Sequence, residues 1–311
     1  MVITMTFTMQ VKEEIAINSN DYLDILPELS AFVKFSGNFK NNNITLVMEN
    51  AHVARCVYKM FKKLFMITPH IQIRIQKRFK TKQIYILTIT ENVNKILEKL
   101  NIVKDNKFIL PEQYFLDTEE DKASYLKGLF LSCGSINDPK KSGYHLEFVV
   151  SLKKDAQYIN KLLKEFRIES KILKRNNKYM IYIKQSEMIS DVLKLFQTTN
   201  SLFYFEDIRI YRDHKNMVNR LNNVDLANQE KVIETGLKQI EDIKYLKKHD
   251  LINLLDERTQ EVIEYRLKYP ETSFSELAQI VSLETEKNIS KSGINHYFRK
   301  IKDLVNKHKN N

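Results

Sequence analysis

The order of secondary-structure signals in this chain repeats once, and that repeat constrains the fold more than any other feature. The first copy reads as a helix around Tyr22 to Ser36, a strand at Ile44 to Glu49, and a helix at Ala51 to Phe65. Strands at Ile71 to Phe79 and Gln83 to Thr90 follow, then a helix at Asn92 to Leu100. The second copy runs in the same order: a helix around Ala123 to Cys133, a strand at Tyr144 to Ser151, and a helix at Lys154 to Phe166. It continues with strands at Ile168 to Arg175 and Tyr179 to Lys184 and a helix at Ser186 to Gln197. The helices rest on apolar spacing, as in Val53, Val57, Tyr58, Phe61, Leu64 and Phe65, which fall on one face. The strands rest on alternation: Ile71, Ile73 and Ile75 are expected against a helix layer, with Gln72, Arg74, Gln76 and Arg78 opposite.

After about Asn200 the pattern changes. A segment beginning at Phe205, a basic, asparagine-rich stretch from Arg212 to Asn228 and a helix near Lys231 to Lys248 read as a linker with a connector helix over residues 201–250. The last unit, residues 251–311, reads as three helices at Arg258 to Tyr269, Phe274 to Val281 and Lys291 to Val305. Pro270 ends the first, Ser273 and Ser290 are N-cap residues for the others, and Glu276 completes a capping box with Ser273. The predicted architecture is therefore an α+β domain over residues 1–200, with αββαββα repeats at about 21–100 and 121–198, followed by an all-α helix-turn-helix domain.

Charge narrows the function. The net charge of +11 favours a polyanionic partner, and its distribution is more telling than its size. Ala51 to Thr90 carries nine bases and no acid, and Lys171 to Lys184 is also acid-free. From Lys287 to Lys309 seven bases stand against the single acid Asp303, whereas acids outnumber bases between Asp256 and Glu286. The polar row of the first repeat (Gln72, Arg74, Gln76, Arg78, Lys80) and the basic group Lys174, Arg175 and Lys178 of the second are the candidate DNA-binding residues of the N-terminal sheet. In the last helix the candidates are Ser290, Lys291, Ser292, Asn295, His296, Arg299, Lys300 and Lys302, with Ile294, Phe298 and Ile301 packed inward. Asn and Arg side chains can read base edges with paired hydrogen bonds, while Lys and Ser more often hold phosphates. The two cysteines, Cys56 and Cys133, have no zinc-site spacing and are expected as packed, reduced thiols; no metal and no cofactor is expected. No run of 18 apolar residues occurs and Met1 to Gln10 lacks the pattern of a secretory leader, so a cytoplasmic, nucleoid-associated protein without membrane contact is expected.

The helices that open the repeats, Leu29-Ser-Ala-Phe-Val-Lys-Phe-Ser-Gly37 and Leu126-Lys-Gly-Leu-Phe-Leu-Ser-Cys-Gly134, lie 97 residues apart and resemble the LAGLIDADG motif of homing endonucleases. That resemblance implies two helices packed at a pseudo-twofold axis and a sheet in each half that lies in the major groove of DNA. In the endonucleases the eighth motif position is acidic and holds the metals that activate water. Here Ser36 and Cys133 occupy those positions, so binding without cleavage is expected. Glu28 and Asp138, the nearest alternative acids, read as surface or capping residues.

Longer stretches go beyond this pattern. Phe7 to Glu14, Tyr125 to Leu131, Gly143 to Glu147, Phe205 to Arg209, Val218 to Asn228 and Ile289 to His296 are similar to the WhiA family, in which a degenerate LAGLIDADG domain is joined to a helix-turn-helix. Family members usually carry cysteine where Val224 stands and often arginine at the Tyr297 position. The resemblance implies a transcription regulator connected with sporulation in some bacteria and with cell division and chromosome segregation in others. Double-stranded DNA is the expected partner, with RNA polymerase or a second regulator as expected protein partners of a monomer. The other readings of the residues are an active LAGLIDADG endonuclease and a protein-interaction adaptor that uses the acidic face around Glu257, Glu261 and Glu264.

Overall fold

The computed structural model describes residues 5–19, 25–40, 42–76 and 82–310, and it divides into two compact units at Arg212/Asp213. In the first unit, helix α1 (Phe7–Asn18) precedes the first repeat: α2 (Leu26–Ser36), β1 (Gly37–Lys40), β2 (Asn43–Met48), α3 (Ala51–Phe65), β3 (His70–Gln76), β4 (Lys82–Ile89) and α4 (Val93–Lys99). A short hairpin, β5 (Val103–Lys104) and β6 (Lys107–Phe108), leads to the second repeat. That repeat comprises α5 (Glu119–Cys133), β7 (Gly134–Ile136), β8 (Leu146–Val150), α6 (Lys153–Glu165), β9 (Lys171–Arg175), β10 (Lys178–Ile183) and α7 (Ser186–Leu195). The two four-stranded antiparallel sheets have equivalent orders, β1-β2-β4-β3 and β7-β8-β10-β9.

Each repeat thus opens with a hairpin where the element-by-element reading has a single strand. The first strand of each hairpin is short and follows its helix without a loop, so it has little room for an alternating signal. Gly37 and Gly134 make the abrupt change possible: a Cβ on Gly37 would lie 2.4 Å from the Val33 carbonyl oxygen, and one on Gly134 2.7 Å from Phe130 Cα.

The helices α2 and α5 pack against each other at the centre of this unit. Leu29, Phe32, Val33, Leu126, Leu129 and Phe130 are buried there. Closest approach is at Gly128, where a Cβ would stand 1.9 Å from the Glu28 carbonyl oxygen. Glu28 itself is buried rather than a surface or capping residue, and its Oε1 accepts a hydrogen bond from Ser19 Oγ at 2.7 Å. Burial pushes its carboxyl up from 4.5 to about 7, against the opposing pulls of Ser19 and the Lys127 ammonium. A carboxyl raised on folding contributes stability that is intact below pH 4.5 and lost as pH rises through about 7. The urea midpoint of the first unit should therefore fall across that window, and Glu28→Gln should flatten the fall. An unchanged profile in the variant would remove Glu28 as its source. Asp138 fastens a turn instead: its Oδ1 accepts from the Lys140 amide at 2.9 Å.

A single helix, α8 (Thr199–Lys248), replaces the expected linker, shorter segments and connector. Its start belongs to the first unit, where Phe205 is buried and Glu14 accepts from the Asn200 and Ser201 amides. Its end belongs to the second, where Ile243 and Leu246 are core residues. Polar composition over Arg212 to Asn228 hid this continuity, because an exposed helix needs no apolar periodicity.

The second unit adds α9 (Glu257–Lys268), α10 (Phe274–Thr285) and α11 (Lys291–Lys309). Asp256, Ser273 and Ser290 cap the three starts, and Ser273 with Glu276 forms the full capping box. Val262, Ile263, Leu277, Val281, Ile294, Phe298, Ile301 and Val305 close a separate core.

Candidate nucleic-acid interface

In the first sheet Gln72, Arg74 and Gln76 lie on one face of β3, as alternation requires, and Gln72 pairs across with Ile86, which pairs with Val47. This outer face also carries Thr45 and Thr88, so it is a mixed polar and apolar surface. Ile71, Ile73 and Ile75 share the opposite face with Tyr85 and the buried Leu87. They are nevertheless 46%, 60% and 60% exposed, which corrects the expectation that they pack under the helix layer. β3 is an edge strand that runs beyond the layer's cover. Arg78 and Lys80 lie outside the described residues.

In the second sheet the basic group divides. Arg175 pairs with Lys178, and Lys171 stands on the same face four residues away along the strand, paired with Tyr182. Lys174 pairs with Tyr179 and lies on the other face, its Nζ 6.0 Å from that ring's centre. The sequence grouping of Lys174 with Arg175 and Lys178 therefore does not survive as one surface: adjacent residues of a strand point to opposite sides. The outer face also holds an acid, Glu147, engaged by Ser135 Oγ at 3.0 Å and His145 Nε2 at 2.9 Å.

At the ends of the paired central helices Ser36 Oγ donates back to the Phe32 carbonyl at 2.5 Å, and Cys133 Sγ to that of Leu129 at 3.5 Å. Burial pushes the Cys133 thiol up to about 11, so it offers no thiolate near neutrality. A side chain that the sequence reading missed lies here: Lys12 of α1 donates its Nζ to the Leu131 carbonyl at 3.0 Å. Burial pulls its ammonium down to about 8, against the pull of the Glu49 carboxylate. Near neutral pH it remains cationic, so this corner already contains a positive charge. Among the described residues, no three His, Cys, Asp or Glu side chains are grouped to hold a metal ion.

On α11 the buried stripe Ile294, Phe298, Ile301 and Val305 leaves Ser292, Asn295, His296, Arg299 and Lys302 at three- and four-residue steps on the other side. Asn295 is half-buried and the others are exposed, as is Lys291 at the helix start. Ser290 Oγ accepts from the Gly293 amide at 3.2 Å and lies 2.8 Å from Ser292 Oγ, so it holds the helix start in place. Lys300 points away from this stripe: its Nζ donates to Asp256 Oδ2 at 2.8 Å, fastening α11 to the cap of α9.

Family profiles match three stretches of the chain: the WhiA N-terminal LAGLIDADG-like domain at residues 25–103, the WhiA LAGLIDADG-like domain at 122–215 and the WhiA C-terminal HTH domain at 218–305. The "Probable cell division protein WhiA" of Staphylococcus aureus strain JH9 is 35% identical over 98% of both chains, and that of strain Newman matches equally. The chain belongs to the WhiA family. Among solved structures, full-length DUF199/WhiA from Thermatoga maritima covers 97% of the present chain and 98% of its own, at 24% identity and a TM-score of 0.55. The isolated N-terminal LAGLIDADG domain of DUF199/WhiA covers 63% of this chain at 23% identity, with a TM-score of 0.50. The family's two LAGLIDADG-like profiles fall on the α2 and α5 repeats, and its HTH profile on the last part of α8 together with α9 to α11.

In this WhiA-family chain the Asp256 carboxylate has a structural task. It accepts from the Thr259 amide and hydroxyl as well as Lys300, and these partners, Lys300 first, hold its pKa down at about 2. The sign follows: its contribution is present above pH 3.8 and lost as pH falls through about 2. Asp256→Ala should cost the second unit about 1 kcal/mol, mainly through the lost cap, since the exposed ion pair adds little. Thermal unfolding of the full chain measures this, and an unmoved second transition would refute it.

Proposed function

We propose that this WhiA-family protein is a sequence-selective binder of double-stranded DNA that regulates transcription, with α11 as its reading helix, in the service of cell division. The observation that carries the reading is the stripe Ser292, Asn295, His296, Arg299 and Lys302, exposed except for the half-buried Asn295, on a helix whose other side closes the helix-turn-helix core. The outer faces of the two sheets, with Gln72, Arg74 and Gln76 on one and Lys171, Arg175 and Lys178 on the other, are further DNA contacts in this proposal. The relatives' name supports the link to division. Cleavage is not part of the proposal: the helix ends present Ser36 and Cys133, and Lys12 opposes a divalent cation there.

Chromatin immunoprecipitation with sequencing on the tagged protein tests the proposal. Discrete peaks at a shared sequence upstream of genes are expected; uniform enrichment along the chromosome would leave no sequence-selective regulator. Incubation of supercoiled plasmid carrying such a site with Mg²⁺ or Mn²⁺ should leave it intact. Nicking that depends on the α2–α5 interface would instead establish the endonuclease.

A further inference from the structure

The second unit contains a buried cation that the proposed DNA reading does not use. Arg266 on α9 is 1% exposed. Its Nη1 donates to the carbonyl oxygens of Thr272 at 2.7 Å, Tyr269 at 3.3 Å and Pro270 at 3.4 Å, and approaches Thr272 Oγ1 at 3.3 Å. The guanidinium lies 5.4 Å from the ring centre of Phe298 and 5.9 Å from that of Phe274. Nε is buried and has no hydrogen-bond partner, and among the described residues Nη2 has none and no carboxylate pairs with the group. A role as a clamp for the turn after α9 accounts for Nη1 alone. It leaves the buried Nε–H of a charged group without an acceptor, an unfavourable state for a buried donor.

What lies beside Arg266 supplies the missing half of the argument. A pocket of about 270 Å³ is lined by Arg266, Lys231 and Lys291 together with the hydroxyl-bearing Thr235, Ser273 and Ser275, and no acid lines it. The N-terminus of the 12-residue helix α10 opens onto it. Within that start, the capping box commits the Ser273 and Glu276 amides, and Phe274 and Ser275 have no intrahelical acceptor for theirs. Glu276 is the nearby acid; its carboxylate is engaged by the Ser273 amide at 2.7 Å.

We propose that this pocket is a phosphate oxyanion site, in which Arg266 Nε and Nη2, the start of α10 and the ammonium groups of Lys231 and Lys291 converge on one anion. Two sources present the same chemistry: a phosphate of the DNA backbone, or the phosphate of a free metabolite. The site does not depend on α11 being the reader, because its recognition is for the phosphate group alone.

The test is titration of the isotope-labelled full-length protein with inorganic phosphate at fixed ionic strength, followed by the Arg266 Nε–H signal and the Phe274 and Ser275 amides in NMR spectra. Saturable shifts are expected, absent with chloride. Lys231→Ala, at an exposed position that leaves the core untouched, should raise the half-saturating concentration about threefold to fivefold, the effect of one exposed charge on an anion. Repeating the titration with a bound DNA fragment separates the sources: phosphate that competes with DNA identifies a backbone contact, and phosphate that binds alongside it identifies a metabolite site. Non-saturating shifts, equal shifts with chloride, an unmoved Arg266 signal or an unaffected Lys231→Ala variant would each overturn the proposal.

Discussion

Gly128→Val is expected to unfold the N-terminal unit, or bring it close to unfolding, while the transition of the helix-turn-helix unit stays in place. The position lies on α5 where it crosses α2, and a Cβ there would be 1.9 Å from the Glu28 carbonyl oxygen and 2.8 Å from its carbonyl carbon. Those atoms are backbone, so no side chain can rotate aside; the helices themselves must separate. Separation would open the contact among Leu29, Phe32, Leu129 and Phe130, all buried at 1% exposure or less. Ordinary overpacking costs about 1–3 kcal/mol, and forcing two helices apart at the centre of a core places this substitution at about 3–5 kcal/mol. Urea unfolding of the full chain, with separate probes in each unit, measures it. A shift of the first transition by less than about 0.5 kcal/mol, the usual effect of a surface substitution, would show that the crossing is not tight.

That crossing was legible in the sequence because the two helices repeat one pattern at a fixed interval, and each ends in glycine. The second unit was legible for a similar reason, since Ser273, Glu276 and Ser290 announce helix starts in local chemistry that tertiary packing does not alter. Other features depend on what covers an element, which no local pattern states. Ile71, Ile73 and Ile75 alternate like a core strand, yet their strand is the sheet's edge and they remain exposed. Lys174 and Arg175 are neighbours in a basic run, yet a strand sends them to opposite faces.

Two functional candidates were hidden by their charge. Arg266 continues the buried spacing of Thr259, Val262 and Ile263, and Lys12 stands between the buried Val11 and Ile15. A cation at an apolar phase of a helix was the available signal. Lys300 shows the converse case: its position in a basic run suggested a nucleic-acid contact, but the bond that fixes it is to Asp256, 44 residues away in sequence.

Simultaneous replacement of Asn295 and Arg299 by alanine is expected to abolish selective DNA binding without disturbing the fold. Both lie outside the buried stripe Ile294, Phe298 and Ile301, with Asn295 half-buried and Arg299 exposed, four residues apart and therefore adjacent along the helix. Neither anchors the helix: the N-cap belongs to Ser290 and the tie to α9 belongs to Lys300. A good bidentate base contact is worth about 1–3 kcal/mol, so each single variant should weaken specific binding about fivefold to 150-fold. Neighbouring contacts on one stripe need not add, and the difference between the double variant and the two singles measures their coupling. Lys302→Ala serves as the contrast. A phosphate contact at that position should weaken specific and non-specific fragments alike and reduce the salt slope by about one. Anisotropy titrations on the preferred site and a scrambled duplex, at several salt concentrations, separate these outcomes. If the double variant keeps the full ratio of specific to non-specific affinity, α11 is not the reader, and selectivity must come from the outer faces of the two sheets.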